Sequence, residues 1–463
     1  MSREDRTLPP AEVRVARGSR PLVAIVGRPN VGKSTLFNRI TGKTLAIVQD
    51  EPGVTRDRHY ADAEVRGRPF VLVDTGGFEP DSKDAIMVGV RDQVRLAVAE
   101  ADLVIFVTDG TVPLTDADLE ALKLLRRAGR PVLYVANKSD SVKRAQEAMD
   151  LYRHGADQVI AVSAAHGRGM VELEAAIERG LPAPTAEDIV LDVSIPRVAV
   201  VGRPNAGKSS LINRLMGAER LVVTDIPGTT RDAIDTLVTK GDRQYVFVDT
   251  AGVRRKRSVS APVEMTSVMH AIRAMERCDV VIVLVDATGE LADQDLRLIN
   301  LAIERGRAVV IGLNKVDQLS SDQERKAVAT AHEKISFAPW IPVAKLSAKA
   351  GRGTTSLLSL VDRAFEAHGK RIGTGELNRF FEEVMERHPP PTNQGKAVRV
   401  YYISQVGTHP PRFAAVTNWP DAVATSYERY VQNQLRERFG FDAVPVRISW
   451  RPKRRKGEDP TEP

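Results

Sequence analysis

Short apolar runs alternate with longer amphipathic stretches over the first two-thirds of the chain. Five early runs lack the strict alternation of a half-exposed strand, which is typical of strands buried on both faces of a sheet. Helix-like stretches such as Val90–Ala99 and Asp116–Ala128 lie between most of them. The pattern predicts an α/β domain whose mostly parallel sheet has helices on both faces. The five runs are Leu22–Val26, Phe70–Val73, Leu103–Thr108, Val132–Ala136 and Val159–Val162.

The same pattern returns after a stretch rich in proline, alanine and acidic residues, Leu181–Asp188. A period this long indicates a duplicated domain rather than a solenoid of short repeats. Matched residues keep a nearly constant offset, which is 175 from Lys33 to Lys208 and from Asp74 to Asp249, and 177 from Asn137 to Asn314.

The last hundred residues have a different order of elements, α-β-β-α-β, which predicts a small α+β domain. The second helix is predicted from an apolar stripe that includes Tyr427, Val431 and Leu435, so the tyrosines Tyr427 and Tyr430 are expected in the core. The other predicted elements are Glu376–His388, Val398–Ile403, Phe413–Thr417 and Val444–Ser449. The whole organisation is predicted as a tail at 1–20, α/β domains at 21–180 and 197–368 joined by a linker at 181–196, an α+β domain at 369–452, and a basic tail at 453–463.

Composition narrows the class of protein. The chain has 463 residues, 42% of them hydrophobic and 27% charged, which indicates a globular protein of about three domains. No apolar run approaches the roughly 20 residues that span a bilayer, and the first twenty residues have no apolar segment of a secretory signal. The single Cys278 is expected in the core and the histidines are scattered, so a cytoplasmic protein without a cysteine metal site is predicted.

The motif G-x-x-x-x-G-K-S occurs at the same place in both repeats, after an apolar strand and before a helix. Its backbone N–H groups cradle phosphate, its lysine reaches the β- and γ-phosphates, and its serine hydroxyl ligates Mg²⁺. The predicted contact residues are Gly27, Arg28, Pro29, Asn30, Val31, Gly32, Lys33, Ser34 and Thr35 in the first repeat and Gly202, Arg203, Pro204, Asn205, Ala206, Gly207, Lys208, Ser209 and Ser210 in the second.

An Asn-Lys-x-Asp motif in each repeat predicts which base is bound. It follows an apolar strand, where a nucleotide base lies at the carboxyl edge of the sheet. Guanine presents two adjacent donors that one ionised aspartate can accept, whereas adenine would place a lone pair against the carboxylate. Weaker motifs after the next strand are predicted to support the base through main-chain groups. The residues are Asn137, Lys138 and Asp140 with Ser163 and Ala164, and Asn314, Lys315 and Asp317 with Ser347 and Ala348.

A third repeated motif predicts Mg²⁺ and γ-phosphate binding. An aspartate at the end of an apolar strand holds Mg²⁺, usually through water, and a glycine two or three residues later lets a backbone N–H approach the γ-phosphate. The motifs are Asp74-Thr75-Gly76-Gly77 and Asp249-Thr250-Ala251-Gly252. Thr55 and Thr230, again 175 apart, are expected to close over the metal. The predicted Mg²⁺ ligands are Ser34, Thr55, Asp74, Ser209, Thr230 and Asp249, and the predicted catalytic set is Lys33, Thr55, Gly77, Lys208, Thr230 and Gly252.

Together these motifs resemble the translation-factor-related P-loop GTPases, and the tandem arrangement resembles the Der (EngA) family of ribosome-associated GTPases over residues 21–455. The resemblance implies GTP and GDP as ligands, Mg²⁺-dependent hydrolysis, a monomer without membrane contact, and the large ribosomal subunit, its rRNA and proteins, as the partner. It also implies that the last domain is KH-like. The G-x-x-G loop of ordinary KH domains is absent from residues 375–463, so docking to RNA, protein or the other domains is expected instead.

The glutamine that orients water in many GTPases is replaced by Phe78 and Val253, neither of which can hydrogen-bond to water. Slow hydrolysis that a partner or cation accelerates is therefore the hypothesis. A related group of GTPases, which these motifs resemble, holds K⁺ with the P-loop asparagine. By that resemblance Asn30 and Asn205 are possible K⁺ ligands.

Basic residues concentrate in two places. Residues 253–257, Val-Arg-Arg-Lys-Arg, have no counterpart in the first repeat and form either a solvated loop or a contact for RNA or an acidic surface. Residues 396–456 carry twelve Lys and Arg against four Asp and Glu. Arg429 and Arg436 lie on one predicted helix face and could form a basic surface with Arg451 and residues 453–456, although a solubilising tail is the alternative.

Two functions remain open from the sequence. The first is an enzyme that hydrolyses GTP at two sites and docks onto the ribosome during large-subunit assembly according to its nucleotide state. The second is a GTP-sensing scaffold in which one site hydrolyses and the other regulates. RNA modification is disfavoured, because the sequence shows no motif for a modification cofactor.

Overall fold

The computed structural model describes residues 20–42, 60–75, 83–139, 149–183, 194–217, 223–226, 235–250, 263–390, 392 and 397–453. Three sheets organise these residues, and we call them, with their helices, the first, second and third unit. Within the described residues, none of the helices combines the length and the apolar character needed to cross a membrane.

The first unit has six strands in the order β2-β3-β1-β4-β5-β6. Only β2 and β3 pair antiparallel among its ladders, and the others are parallel. Every residue of β1 is buried, since helices cover both faces, and this explains why its sequence does not alternate. The elements are β1 Leu22–Val26, α1 Lys33–Thr41, β2 Tyr60–Val65, β3 Arg68–Asp74, α2 Lys83–Glu100, β4 Leu103–Asp109, α3 Asp116–Arg127, β5 Val132–Asn137, α4 Met149–Arg153, β6 Val159–Ala161 and α5 Met170–Gly180.

The second unit repeats this topology and adds an edge strand, giving the order β13-β12-β11-β7-β10-β9-β8. The added β8 pairs antiparallel with β9. The sequence predicted five of the six strands of the first unit and missed its antiparallel edge strand β2, and it likewise named neither β9, the counterpart of β2, nor the added β8. The elements are β7 Arg197–Val201, α6 Lys208–Met216, β8 Val223–Ile226, β9 Asp235–Lys240, β10 Arg243–Phe247, α7 Val263–Arg277, β11 Val280–Asp286, α8 Asp293–Glu304, β12 Ala308–Asn314, α9 Ser321–Lys334, β13 Val343–Lys345 and α10 Thr354–Gly369.

The third unit has the predicted order α-β-β-α-β. Strand β15 is central, antiparallel to β14 and parallel to β16. Phe413, Phe439 and Phe441 pack against one another under the sheet, and Tyr427 is buried as expected. The elements are α11 Thr374–Arg387, β14 Val400–Gly407, β15 Arg412–Thr417, α12 Thr425–Phe439 and β16 Arg447–Pro452.

The last strand begins three residues later than the sequence predicts. Val444 and Val446 are buried like strand residues, but Pro445 has no N–H to donate to a ladder. The pairing with β15 starts only at Arg447, opposite Arg412. Burial and strand pairing are separate properties here, and the apolar pattern reports only burial.

The three units share apolar cores. One cluster runs from the first unit into the second and includes Val94 and Ala97 on α2 with Met269 and Ile272 on α7. A second cluster joins the second and third units. Cys278 lies fully buried in the first of these clusters, and burial raises the pKa of its thiol to about 12, as expected for a core residue.

A charged network crosses the same boundary between the first and second units. Arg20 Nε lies 2.8 Å from Glu276 Oε2, and Arg20 Nη1 lies 2.7 Å from Asp62 Oδ2. Arg305 bonds Asp62 and lies 3.4 Å from Glu276 Oε1. The side chains of Arg305 and Glu276 are each 4% exposed, and each charge is paired: Glu276 with Arg20 and Arg305, and Arg305 with Asp62 and Glu276.

The predicted basic face on α12 is wrong for Arg436. Arg429 is exposed, but the Arg436 guanidinium lies over the Trp340 ring of the second unit, 4.6 Å from its centroid. Burial lowers the pKa of Arg436 to about 10, although Asp442 opposes that shift. The helix periodicity placed both arginines on one side, but packing of the third unit on the second covers one of them.

Candidate functional site

Each G-x-x-x-x-G-K-S motif lies between a central buried strand and the helix that follows. The loops connect β1 to α1 and β7 to α6. Gly32 and Gly207 have φ of 93° and 99°, a region that disfavours residues with a side chain. A Cβ added at Gly32 would lie 2.3 Å from Asn137 Nδ2. The glycine therefore lets the loop approach the asparagine of the base-reading motif.

The motif lysines are folded onto their own loops. Lys33 Nζ donates to the carbonyls of Gly27 and Arg28, both at 2.8 Å. Lys208 Nζ makes the same bonds to Gly202 at 2.7 Å and Arg203 at 2.9 Å. An anionic oxygen is a stronger acceptor than a carbonyl. A phosphate oxygen would therefore compete well with these carbonyls for each ammonium. Each ammonium also lies beside a helix N-terminus, which favours phosphate binding.

The other predicted loop residues lie in the same two turns. Arg28 and Arg203 point to α3 and α8, where Arg28 Nε is 3.3 Å from Asp118 Oδ2 and Arg203 Nε is 2.8 Å from Asp295 Oδ2. Their predicted part in phosphate binding therefore rests on the main chain. The remaining loop residues are Pro29, Asn30, Val31, Thr35, Pro204, Asn205, Ala206 and Ser210.

The asparagines of the base-reading motifs hold each site together. Asn137 Nδ2 donates to Val31 O at 2.8 Å, and Asn137 Oδ1 accepts from Ala164 N at 3.0 Å. Asn314 repeats both bonds, to Ala206 O at 2.7 Å and from Ala348 N at 2.8 Å. The structure therefore brings the phosphate loop to an Asn-Lys-x-Asp motif more than a hundred residues away, and to the Ser-Ala motif that follows it.

Two aspartates that the sequence reasoning missed pair with the lysines of the Asn-Lys-x-Asp motifs. Lys138 Nζ lies 2.8 Å from Asp109 Oδ2, and Lys315 Nζ bonds Asp286 in the second unit. Burial alone would raise the pKa of Asp109 and Asp286, but hydrogen bonds from these lysines and from nearby threonines lower it. The signal was present, since Asp109 and Asp286 keep the offset of 177 that relates the two motifs.

The aspartate predicted to bind guanine is described in one repeat. Asp317 is exposed on a short 3-10 turn, Val316–Gln318, directly after β12. An exposed carboxylate at this edge of the sheet can accept the paired donors of guanine. Other predicted site residues, Asp140, Thr55, Gly76, Gly77, Thr230, Ala251 and Gly252, lie outside the described residues, as do Phe78 and residues 253–257.

The first site contains a hydroxyl and a carboxylate that suit Mg²⁺ as ligands. Ser34 Oγ donates to Asp74 Oδ2 at 2.7 Å, and Asp74 is 2% exposed at the end of β3. Thr75, the next residue, anchors this end by donating to Ile25 O at 2.7 Å. A hydroxyl and a carboxylate on adjacent elements are hard oxygen donors, which fit a magnesium ion.

The second site differs at the matching aspartate. Strand β10 ends at Phe247, so Asp249 has left the strand and adopts φ of 55°. Asp249 Oδ2 lies 3.8 Å from His270 Nδ1, and His270 Nε2 lies 3.2 Å from Glu100 Oε1 of the first unit. The backbone N–H of Asp249 donates to buried Asp235 at 3.2 Å. The second site is thereby connected to the first unit.

Burial and charge explain the titration of this connection. Burial raises the pKa of Glu100, even though His270 opposes the shift. Burial alone would lower the pKa of His270, but the neighbouring carboxyl groups of Asp249 and Glu100 outweigh burial and raise it. The shift of His270 favours an imidazolium between the two carboxyl groups, whereas the shift of Glu100 favours its neutral form.

Sequence profiles of known families match the three units. The profile described as "50S ribosome-binding GTPase" matches residues 22–138 and 197–315. The profile described as "KH-domain-like of EngA bacterial GTPase enzymes, C-terminal" matches residues 371–451.

Whole-chain relatives agree with these profiles. The chain is 44% identical to GTPase Der of Geotalea daltonii, over 93% of this chain and 97% of that protein. It is 46% identical to GTPase Der of Syntrophotalea carbinolica and 45% identical to that of Moorella thermoacetica, each over 93% of this chain and 98% of the relative. Era of Aquifex aeolicus bound to GDP·AlF4⁻ covers 56% of this chain at 19% identity and TM-score 0.29, a likeness too low to add to the assignment.

Two complete sets of P-loop and base-reading motifs, a KH-like third unit and relatives that match end to end lead to one assignment. The chain belongs to the GTPase Der family, and it is a GTPase with two P-loop GTPase domains followed by a KH-like domain.

Proposed function

We propose that both sites bind Mg²⁺·GTP and hydrolyse it to GDP and phosphate. The observation that carries this proposal is the repeated geometry, in which Lys33 and Lys208 close matching loops and Asn137 and Asn314 fasten those loops to the base-reading edge. Phosphoryl transfer depends mainly on positioning and charge, and each repeat supplies both.

The residues divide the work as follows. Lys33 and Lys208 neutralise the β- and γ-phosphates, while backbone N–H groups at the starts of α1 and α6 orient them. Ser34 with Asp74, and Ser209 with Asp249, would hold Mg²⁺, together with Thr55 and Thr230. The metal would supply charge between the β- and γ-phosphate oxygens. Gly77 and Gly252 would present backbone N–H groups to the γ-phosphate.

A monovalent cation is proposed as the missing catalytic charge. Asn30 and Asn205 lie exposed in their loops with φ of 64° and 65°. K⁺ held there would stabilise charge that an arginine finger otherwise stabilises. Faster turnover in KCl than in NaCl at equal ionic strength is expected, and equal rates would contradict the proposal.

The second part of the proposal is docking onto the large ribosomal subunit during its assembly, controlled by nucleotide state. The KH-like domain and the family description "50S ribosome-binding GTPase" support it. Arg429 and Arg451 are exposed, and we propose them for phosphate contacts. A cytoplasmic monomer with domains at 21–180, 197–368 and 369–452 suits this role.

Sedimentation with purified ribosomal subunits tests the docking. The chain is expected to sediment with the large subunit in one nucleotide state, GDP or a non-hydrolysable GTP analogue, and not in the other. Binding that ignores the nucleotide would contradict nucleotide control, and absence of binding in both states would contradict docking altogether.

One observation favours the scaffold alternative for the second site. Asp249 faces His270 and Glu100, whereas Asp74 faces Ser34. Turnover by Lys33→Ala and by Lys208→Ala separates the two hypotheses, with exposed Lys123→Ala as the control. Partial loss in each variant supports two hydrolytic sites. If only one variant loses turnover, the other site is regulatory.

A further inference from the structure

Three side chains with metal-binding donors meet where the third unit packs on the second. Asp279 precedes β11, His368 lies in the last turn of α10, and His409 lies in the turn between β14 and β15. One donor atom from each lies within 4.8 Å of the other two. Asp279 and His368 are 3% and 0% exposed, and His409 is half-buried. The cluster lies outside both nucleotide sites.

Hydrogen bonds fix which nitrogen His368 presents. Its Nε2 lies 2.8 Å from the carbonyl oxygen of Gly306. A carbonyl only accepts, so Nε2 carries a proton and Nδ1 carries the lone pair of the neutral ring. A histidine that donates one ring N–H to a backbone carbonyl is oriented as metal-binding histidines are.

The second histidine is held against the first. His409 N donates to His368 O at 3.0 Å, and the two rings meet edge to face with centroids 5.0 Å apart. His409 Nδ1 lies 3.2 Å from Thr408 Oγ1, which orients this ring as well. A Cβ at Gly369 would lie 3.1 Å from the His409 ring, so the glycine allows the close approach.

Asp279 also has a structural role, which Asp102 shares in the first unit. Asp279 Oδ2 accepts from Arg197 N at 3.0 Å, and Asp102 in the first unit accepts from Leu22 N at 2.8 Å in the same way. That role explains a buried aspartate before the strand in both repeats. It does not explain why two oriented imidazoles face Asp279.

We propose that Asp279, His368 and His409 bind one divalent ion of the Zn²⁺ class and thereby fasten the KH-like unit to the second GTPase domain. Two imidazole nitrogens and one carboxylate oxygen are ligands that Zn²⁺ prefers, with water completing a four-coordinate site. His409 comes from one unit, and Asp279 and His368 come from the other. Binding of the ion and docking of the two units therefore stabilise each other.

Zn²⁺ binding to the full chain tests the site. The protein is stripped with a chelator, exchanged into chelator-free buffer, and saturated with Mg²⁺ and GDP so that the nucleotide sites do not contribute. Wild type is expected to bind one Zn²⁺ per chain in competition with a chromophoric chelator, and Co²⁺ is expected to give the intense absorption of a tetrahedral site. Failure to bind Zn²⁺ at micromolar concentrations would overturn the proposal.

Variants locate the binding to this cluster. His409→Gln is expected to lower Zn²⁺ affinity at least about tenfold, and so is Asp279→Asn, which keeps an oxygen for the bond from Arg197. His388→Gln, an exposed histidine of the same unit, is the matched control and should bind like wild type. Equal affinity in His409→Gln and wild type would overturn the assignment.

Thermal unfolding gives a second readout. An ion that binds only the docked native arrangement raises the melting temperature in proportion to the logarithm of its concentration. Zn²⁺ should raise the melting temperature of wild type and of His388→Gln, and leave that of His409→Gln unchanged. A similar rise in all three proteins would place the ion elsewhere.

Discussion

The two nucleotide sites carry the same motifs at the same spacing and still differ at the carboxylate meant for Mg²⁺. In the first site, β3 extends to Asp74, which accepts from Ser34. In the second, β10 ends two residues short of Asp249, whose carboxylate lies against His270. Duplication preserved the local phosphate loop, while the surroundings of the metal site diverged. The difference shows that a metal ligand depends on what packs behind it.

The first unit packs behind the second site. Glu100, at the end of α2, contacts His270 on α7, and Arg273 one turn further donates to Glu100 O at 3.0 Å. The position of Asp249 therefore depends on docking of the first unit. We expect the second site to report the arrangement of the domains, and the following predictions examine that dependence from the largest effect to the smallest.

Separating the first two units should abolish the difference between the sites. Arg305→Met removes the cation that bonds Asp62 across the boundary and that also pairs with buried Glu276 of its own unit, and breaking a buried pair costs about 3 kcal/mol. Small-angle scattering should show a larger radius of gyration, and Mg²⁺·GTP affinity at the second site should approach that of the first. Arg325→Met, at an exposed pair, is the control and should change neither quantity. An expanded molecule with unchanged nucleotide affinity would refute the dependence.

Neutralising each aspartate compares the sites directly. Asp74→Asn, in a Lys208→Ala background, should lower Mg²⁺-dependent GTP affinity at the first site about a hundredfold, because it removes a charged ligand in place. Asp249→Asn, in a Lys33→Ala background, should cost less than about tenfold, because that carboxylate is already held by His270. Titration of a fluorescent GTP analogue with and without Mg²⁺ measures both. Equal losses would mean that Asp249 reaches the metal as readily as Asp74.

Removing His270 should free the Asp249 carboxylate to bind the metal at the second site. His270→Gln leaves Asp249 without its cationic neighbour, and Mg²⁺·GTP affinity at the second site should rise about tenfold. The first site should be unaffected, because Asp74 lies at the end of β3 and accepts from Ser34 of its own unit. His332→Gln, exposed on α9, serves as the control. A fall in affinity at the second site would show that His270 assists the metal rather than withholding its ligand.

The smallest effect is expected at Glu100, the residue of the first unit that contacts His270. Glu100→Gln removes one charge beside His270 and should raise the second-site affinity about threefold, since the interaction is partly exposed at the histidine. Combined with His270→Gln, it should add nothing, because residues that act through one contact are not additive. Additive effects would place Glu100 outside the path to Asp249.

Local sequence was sufficient for much of this protein. Gly32 and Lys33 lie in a turn whose geometry follows from neighbouring residues, and their positions, like that of Asn137 at the end of β5, were predicted from motif spacing. Strand β1 matches its prediction residue for residue, because burial on both faces leaves a continuous apolar run. The repeat offset also contained Asp109 and Asp286, which support the motif lysines and which motif matching alone does not select.

The sequence by itself determined the duplication, the phosphate loops, the base-reading residues and the order of the third unit, since each depends on contacts that are short-range or set by hydrophobic period. Only the tertiary structure decided the orientation of Arg436 over Trp340, the approach of His409 to His368, and the position of Asp249 beside His270. Each of these depends on how one unit packs on another. A helix period specifies which residues share a face, but the partner that covers the face is chosen by packing between distant segments.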